Sequence, residues 1–135
     1  MITLELATQE LINKVDNEID GTIKDDNMIN IAIKRDGQSL GIFQAQYISN
    51  ACISLHMHIL SEYQNKGYAL QCLKPLLELL KTTNIKAILA TIPMNNKIMM
   101  GIMQKTPFKC CGSIPNSIIY KQQLQDMVLF SLEVK

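Results

Sequence analysis

His56 and His58 are the only two histidines in the chain and stand two residues apart in an apolar run over 51–60. Strand residues two apart share one face, so both imidazoles point the same way. An ordinary imidazole titrates at about pH 6.5, so either could take a proton from an amine at neutral pH. The more common role of such a residue is a hydrogen-bonded histidine in a covered sheet.

Directly after that run comes Gln64-Asn65-Lys66-Gly67-Tyr68-Ala69, and a helical pattern begins behind it. The first N–H groups of a helix have no intrahelical partner, and the helix dipole puts partial positive charge there. Gly67 tolerates positive φ and close approach of a ligand. Ala69 leaves the helix start uncrowded, and Lys66 adds a formal charge. These parts can hold a pyrophosphate. On the loop alone, an ordinary glycine turn is equally compatible. The stretch is neither a Walker loop nor a dinucleotide fingerprint, because it has a single glycine and no Gly-Lys-Ser/Thr.

Other reactive side chains offer less. Cys52, Cys72, Cys110 and Cys111 lack paired C-x-x-C spacing, which suits four free thiols, mostly buried, rather than disulfides or zinc. A mixed site of His56, His58, Cys110 and Cys111 has suitable ligand types but no converging pairs, so no metal is expected. No base flanks Cys110-Cys111 to make a nucleophile. Glu62 reads as a solvated acid. Met94, Met99, Met100 and Met103 read as core filling, with an adaptable interface as the sharper alternative.

The elements that must position these residues follow from periodicity. Residues 2–6 alternate as a strand, and 8–19 carry the helical stripe Leu11, Ile12, Val15 and Ile19. Gly21 and Asp25-Asp26-Asn27 interrupt the chain. Asp36-Gly37 marks a hairpin between strands 28–34 and 39–48. Ser49-Asn50 turns into 51–60. A helix over 70–82 has the stripe Leu70, Leu73, Leu76, Leu77 and Leu80, with a kink expected at Pro75 because an interior proline costs about 3 kcal/mol. Residues 85–92 read as a buried parallel strand, 95–105 as a helix, and 108–114 and 127–134 as strands. Pro115-Asn116 and an extended piece, 117–124, join the last two. Hairpins followed by a strand–helix–strand unit predict a mixed α/β sheet with flanking helices.

Bulk properties set the outer limits. The chain has 135 residues, 47% apolar and 19% charged, which fits one folded domain over residues 1–135. Its net charge is +1 and its basic residues are scattered, so no nucleic-acid footprint is expected. No apolar stretch approaches the roughly 20 residues that span a bilayer. The first residues carry an acid and no basic n-region, so no signal peptide and a cytoplasmic location are expected.

The stretch 59–69 resembles the acetyl-coenzyme A signature of the GNAT superfamily of N-acetyltransferases. That signature is V-x-P-x-Y followed by [QR]-x-x-G-x-[GA]. Ile59 stands for the Val, Ser61 for the Pro, Tyr63 matches the Tyr, and Gln64, Gly67 and Ala69 fill the loop. A second family block, N-x-x-A-x-x-x-Y-x-x-x-G-F, is matched by Asn96 and Phe108, while Met99, Met103 and Pro107 depart from it. The resemblance covers residues 28–135, and the element order agrees with it.

The resemblance implies a GNAT-like acyl-CoA N-acyltransferase fold: a mostly antiparallel sheet with a parallel splay between the fourth and fifth strands. It implies acetyl-CoA as cosubstrate, with Ile59 and Leu60 pairing with the pantetheine arm through their backbone, Gln64, Asn65, Lys66, Gly67, Tyr68 and Ala69 at the pyrophosphate, and Asn96 on the arm's other side. It implies transfer of acetyl to an amine of a small molecule or peptide; the base would be His56 or His58, on their imidazole chemistry rather than on the resemblance. Met103 stands where the family often has a proton-donating Tyr; Tyr68 or Tyr120 would have to substitute. The tail, Gly112 to Leu132, is also similar to small acetyltransferase-like proteins of tailed bacteriophages. That likeness implies the alternative: a non-catalytic phage head-assembly or interaction protein in the host cytoplasm, with a phage structural protein as partner. A homodimer paired through 127–134 is a further expectation.

Overall fold

The computed structural model describes residues 1–19 and 28–135. The expected interruption at Gly21 and Asp25-Asp26-Asn27 lies outside the described residues.

β1 (Ile2–Leu6) leads into α1 (Gln9–Glu18). Thr8 caps the helix, its Oγ1 accepting the Leu11 N–H at 3.2 Å. β2 (Ile29–Arg35) and β3 (Gln38–Tyr47) form the hairpin that Asp36-Gly37 predicts. Asp36 has φ 52° and Gly37 φ 80°, the pair of positive values that a two-residue turn of matching twist requires. β4 (Cys52–Ile59) continues the antiparallel run.

The helix expected over 70–82 starts earlier and breaks: α2 is Tyr68–Gln71 and α3 is Leu73–Leu80, with Cys72 between them. The cause is Pro75, which has no N–H to give the Gln71 carbonyl. Restarting at Leu73 puts Pro75 in the first turn of α3, where no intrahelical donor is required. The ladder resumes with Leu76 N–H on the Cys72 carbonyl at 3.1 Å. Cys72, Leu76 and Leu80 form the buried stripe, whereas Leu70, expected in it, is 37% exposed.

β5 (Ala87–Pro93) is parallel to β4, as its apolar run predicts. α4 (Lys97–Gln104) then leads to β6 (Lys109–Tyr120) and β7 (Gln123–Glu133). Pro115-Asn116 does not end a strand; β6 runs through it as a bulge, with Asn116 at φ 48°. Side chains replace the ladder there: Asp126 Oδ1 accepts the Asn116 N–H at 3.0 Å, and Ser117 Oγ accepts the Met127 N–H at 3.3 Å. The hairpin turn is Lys121-Gln122, φ 50° and 66°.

Among the described residues, seven strands form one sheet in the order β1-β2-β3-β4-β5-β7-β6. β4 and β5 are its parallel pair. β7 is internal, hydrogen-bonded to β5 and to β6, so the expected dimer through 127–134 has no open edge to use; the outer strand is β6.

Helices cover the sheet unevenly. Cys72, Leu76 and Leu80 pack on Ile53, Leu55, Ile59 and Ile88. Met103 of α4 packs on Ala90, Ile92, Val128 and Phe130. On the opposite face, Leu11 and Val15 of α1 pack on Ala32, Ile42 and Leu60. That second cover lies over the β2–β3 side of β4.

Candidate functional site

The parallel register between β4 and β5 ends at Leu55↔Ala90, although β4 continues to Ile59 and β5 to Pro93. Beyond that pair the strands are splayed. Which backbone groups face the opening follows from one bond. Leu60 N–H donates to the Leu40 carbonyl on β3 at 2.8 Å. A trans peptide then turns the Ile59 carbonyl the other way, toward β5. The N–H and C=O of a strand residue share an edge, and the edge alternates with period two. Met57 and Ile59 therefore present their backbone groups to the opening. Leu60, expected to do so, presents its N–H to β3 instead.

Gln64 closes one of these groups: its Nε2 donates to the Ile59 carbonyl at 2.8 Å. Across the opening, Pro93 has no N–H, and its carbonyl accepts the Asn96 N–H at 2.9 Å. Met94 N–H turns to Asp126 on β7, so the Pro93 nitrogen turns to the opening, where a missing donor breaks no ladder.

The loop after β4 is shaped by two left-handed residues, Asn65 at φ 63° and Gly67 at φ 81°. A Cβ on Gly67 would have open space, its nearest neighbour being the Gln71 amide nitrogen at 3.8 Å. The first helical bond is Gln71 N–H to the Gly67 carbonyl at 3.4 Å, so the N–H groups of Tyr68, Ala69 and Leu70 lack helical acceptors. Lys66 is exposed beside them. Tyr68 Oη accepts from Arg35 Nη1 at 2.9 Å, which fastens the loop to the β2–β3 turn.

His56 and His58 share the face on which α1 packs, as their spacing predicts. His56 is solvent-exposed at its edge, yet partial desolvation by its surroundings holds its pKa below the ordinary imidazole value. His58 meets a residue that sequence reasoning did not single out. Its Nε2 lies 2.9 Å from Glu18 Oε1, at the end of α1. The same carboxylate accepts the Ser61 N–H at 2.8 Å and the Ser61 hydroxyl at 3.1 Å. Burial pushes the Glu18 pKa up, but the bonds from His58 and Ser61 together outweigh it, and the net shift is downward. Forty residues separate Glu18 from His58, and no local pattern links them.

Asn96 caps α4, its Oδ1 accepting the Met99 N–H at 3.2 Å. Its Nδ2 amide is the end left to address a ligand. Gln125, the buried polar side chain of β7, anchors this corner. Its Oε1 accepts the Asn95 N–H at 3.0 Å, and its Nε2 donates to the Tyr120 carbonyl at 3.2 Å. Met103 is buried under α4 rather than facing the opening. Tyr120 sits at the tip of the β6–β7 hairpin, beyond the last β5–β7 pair, Pro93↔Met127.

The thiols divide differently from expectation. Cys72 is buried and Cys52 half-buried, but Cys110 and Cys111 are exposed. They lie on β6, separated from the histidines of β4 by β5 and β7, so the four do not converge. Among the described residues no group of three or more His, Cys, Asp or Glu side chains could hold a metal ion.

An opening between parallel strands, into which Met57 and Ile59 turn N–H groups that meet no strand partner among the described residues, and a left-handed loop whose first amides lack helical acceptors together suit an extended chain that carries amides and ends in phosphates. No protein-family model matches the chain, and no curated protein matches it. Solved structures do. A dodecameric spermidine N-acetyltransferase from Vibrio cholerae superposes with a TM-score of 0.86 at 13% identity, over 98% of this chain and 93% of that one. The Vibrio cholerae enzyme in complex with CoA and spermine gives 0.84 at 14% identity, over 98% and 95%. The ribosomal-protein-S18-alanine N-acetyltransferase from Escherichia coli gives 0.80 at 11% identity, over 100% and 95%. The fold is that of the GNAT N-acetyltransferases. In the GNAT frame the opening is the splay expected between the fourth and fifth strands, and it falls where the sequence places it. Among the described residues no helix is long and apolar enough to cross a membrane.

Proposed function

We propose that this chain is an acetyl-CoA-dependent N-acetyltransferase acting on an amine of a small molecule or peptide, as one domain over residues 1–135 in the cytoplasm. The observation that carries the reading is the β4–β5 splay ending in the Gly67 loop. CoA is present with one structural neighbour and spermine is its companion there, which supports a thioester cosubstrate and an amine acceptor.

In this reading the gap-facing N–H groups of Met57 and Ile59 bind the amide-bearing arm of the cosubstrate. The backbone amides of residues 65–69, with Lys66, bind its pyrophosphate. The Gln64 side chain holds the loop against Ile59, and Asn96 Nδ2 donates from the far side. The cosubstrate supplies an activated acyl carbonyl with a thiolate leaving group. His58, or the neighbouring His56, takes the proton that the attacking amine must lose. Met103 cannot donate a proton to the leaving thiolate, so water or a hydroxyl elsewhere must.

The second reading is a non-catalytic interaction domain, of which phage head assembly is one form. The burial of Met103 at the position of the family's Tyr favours it.

Calorimetric titration with acetyl-CoA separates the two. Micromolar binding is expected, weakened when dephospho-CoA replaces CoA, and lost in Gly67→Glu, whose carboxylate would project among the phosphates. The variant should stay folded, because the space around Gly67 is open and a side chain at this positive φ costs about 1–2 kcal/mol. Failure of the wild-type protein to bind at millimolar cosubstrate would favour the interaction domain.

A further inference from the structure

We infer that Glu18 is a positioning residue for His58, fixing the imidazole with Nε2–H toward α1 so that Nδ1 is the atom that accepts the acceptor amine's proton. The inference rests on the acetyltransferase reading and adds to it a residue that neither the signature nor the fold comparison marks.

The geometry forces the tautomer. An ionised carboxylate only accepts hydrogen bonds, so the 2.9 Å contact to Glu18 Oε1 places the proton on Nε2. The remaining lone pair of the neutral ring is then on Nδ1. The two ring nitrogens diverge, so with Nε2 turned to α1, Nδ1 turns away from it. α1 covers the β2–β3 side of β4, and the splay opens on the other side. Glu18 is held for this task rather than hanging free. Ser61 N–H and Ser61 Oγ, at 2.8 and 3.1 Å, occupy both carboxylate oxygens, and only 24% of the Glu18 side chain and 21% of the His58 side chain are exposed. A carboxylate on one ring nitrogen orients an imidazole and fixes its tautomer.

The nearby groups do not substitute for it. Glu62 is engaged by Lys14 at 3.2 Å and is half exposed. His56 lies one strand repeat away, roughly 7 Å along β4, and among the described residues no carboxylate orients it. The step balances as follows. An ammonium gives one proton to His58 Nδ1 and becomes the nucleophile. Its nitrogen bonds to the acyl carbon, and the carbon–sulfur bond breaks. The thiolate takes up the nitrogen's second lost proton by way of solvent, and His58 returns the first to water.

The competing account makes Glu18 a staple between α1 and the loop at Ser61, with no effect on chemistry. Three measurements on the full chain separate them. The first is the turnover rate with acetyl-CoA and spermine as probe acceptor. The second is CoA affinity by calorimetry. The third is the His58 tautomer by ¹⁵N NMR, which is readily assigned with two histidines in the chain. We expect Glu18→Gln to lower kcat about 100-fold, the lower range for general base catalysis, with CoA affinity unchanged and the Nε2–H preference weakened. Glu18→Asp should recover part of kcat. Ser61→Ala, which removes one of the two bonds that hold Glu18 but leaves the Ser61 N–H and the His58 contact, should lower kcat by less than Glu18→Gln. A Glu18→Gln enzyme with wild-type kcat, an Nδ1–H tautomer in the wild-type protein, or equal losses in Glu18→Gln and Ser61→Ala would overturn the assignment while leaving acetyl transfer intact. A wild-type protein that binds no CoA, or turns over none of it with spermine or with an N-terminal peptide, would instead overturn the acetyltransferase reading and the inference with it.

Discussion

Gln64 donates its side-chain amide to the carbonyl of Ile59 at 2.8 Å, across the corner where β4 ends and the Gly67 loop begins. One contact therefore ties the proposed phosphate cradle to the edge of the splay. A net hydrogen bond of this kind contributes about 1 kcal/mol. Gln64→Ala should lower thermal stability slightly and weaken CoA binding roughly tenfold, because a free loop must be ordered by the ligand. Gln64→Glu should be worse, since an isosteric carboxylate would face the Ile59 carbonyl. Calorimetry on both variants checks the order, and equal affinities for wild type and Gln64→Glu would sink the role given to this contact.

Gly41 is the second glycine with a structural task, and its sequence context gives no hint of one. A Cβ there would lie 2.2 Å from the His58 carbonyl oxygen and 2.9 Å from the Ile59 Cα. Both are backbone atoms and cannot swing aside, so β3 and β4 approach closely beside His58 only because residue 41 has no side chain. Gly41→Ala should cost about 1–3 kcal/mol, the range for overpacking, and should also displace β4 at His58. A thermal melt coincident with wild type would show that the strands are not so close.

Why some of this was legible and some not has a physical basis. Local periodicity carried the strands, the Asp36-Gly37 turn and the helix of 97–104, because alternation and turn chemistry are properties of neighbours. The turn within 64–69 was legible because a positive φ at Gly67 is a property of the residue itself, not of a partner side chain. Pro75 predicts a kink from its chemistry alone, but the break at Cys72 depends on which carbonyl loses its donor. Pro115-Asn116 reads as a turn, and only Asp126 and Ser117, contacts across the sheet, let β6 run through it. The hairpin residues Lys121-Gln122 carry no turn signal. The Glu18–His58 pairing, the Leu60 bond to β3 and the anchoring by Gln125 are all tertiary, so a linear pattern could not contain them.

Three of the four thiols should react in two classes. Burial pushes the Cys72 pKa to about 12, so almost no thiolate is present at neutral pH. Its Sγ also lies 2.9 Å from the Tyr68 carbonyl, inside the α2–α3 break. Cys110 and Cys111 are exposed on the outer strand β6. Iodoacetamide should therefore alkylate Cys110 and Cys111 in the folded protein at rates near those of a free thiol, and Cys72 only after denaturation. Peptide mass mapping reads the sites, and early modification of Cys72 would contradict its placement in the core.

The Glu18 carboxylate should also be visible in the pH dependence of stability. Its pKa is lowered in the folded state from an ordinary 4.5, burial being outweighed by the bonds from His58 and Ser61. A group whose pKa is depressed by folding stabilises the protein above its unfolded pKa. That contribution is lost as pH falls through the folded value, because the unfolded chain then binds the proton more readily. As pH falls below the ordinary carboxylate value, the melting temperature of the wild-type protein should thus fall more steeply than that of Glu18→Gln, which has no proton to bind there. At neutral pH the wild-type protein should be the more stable of the two, and the two curves should converge toward the acid end. Differential scanning calorimetry across that range checks it. Parallel curves would mean that Glu18 titrates alike in the folded and unfolded chains, and that the three hydrogen bonds on its carboxylate do not hold it ionised.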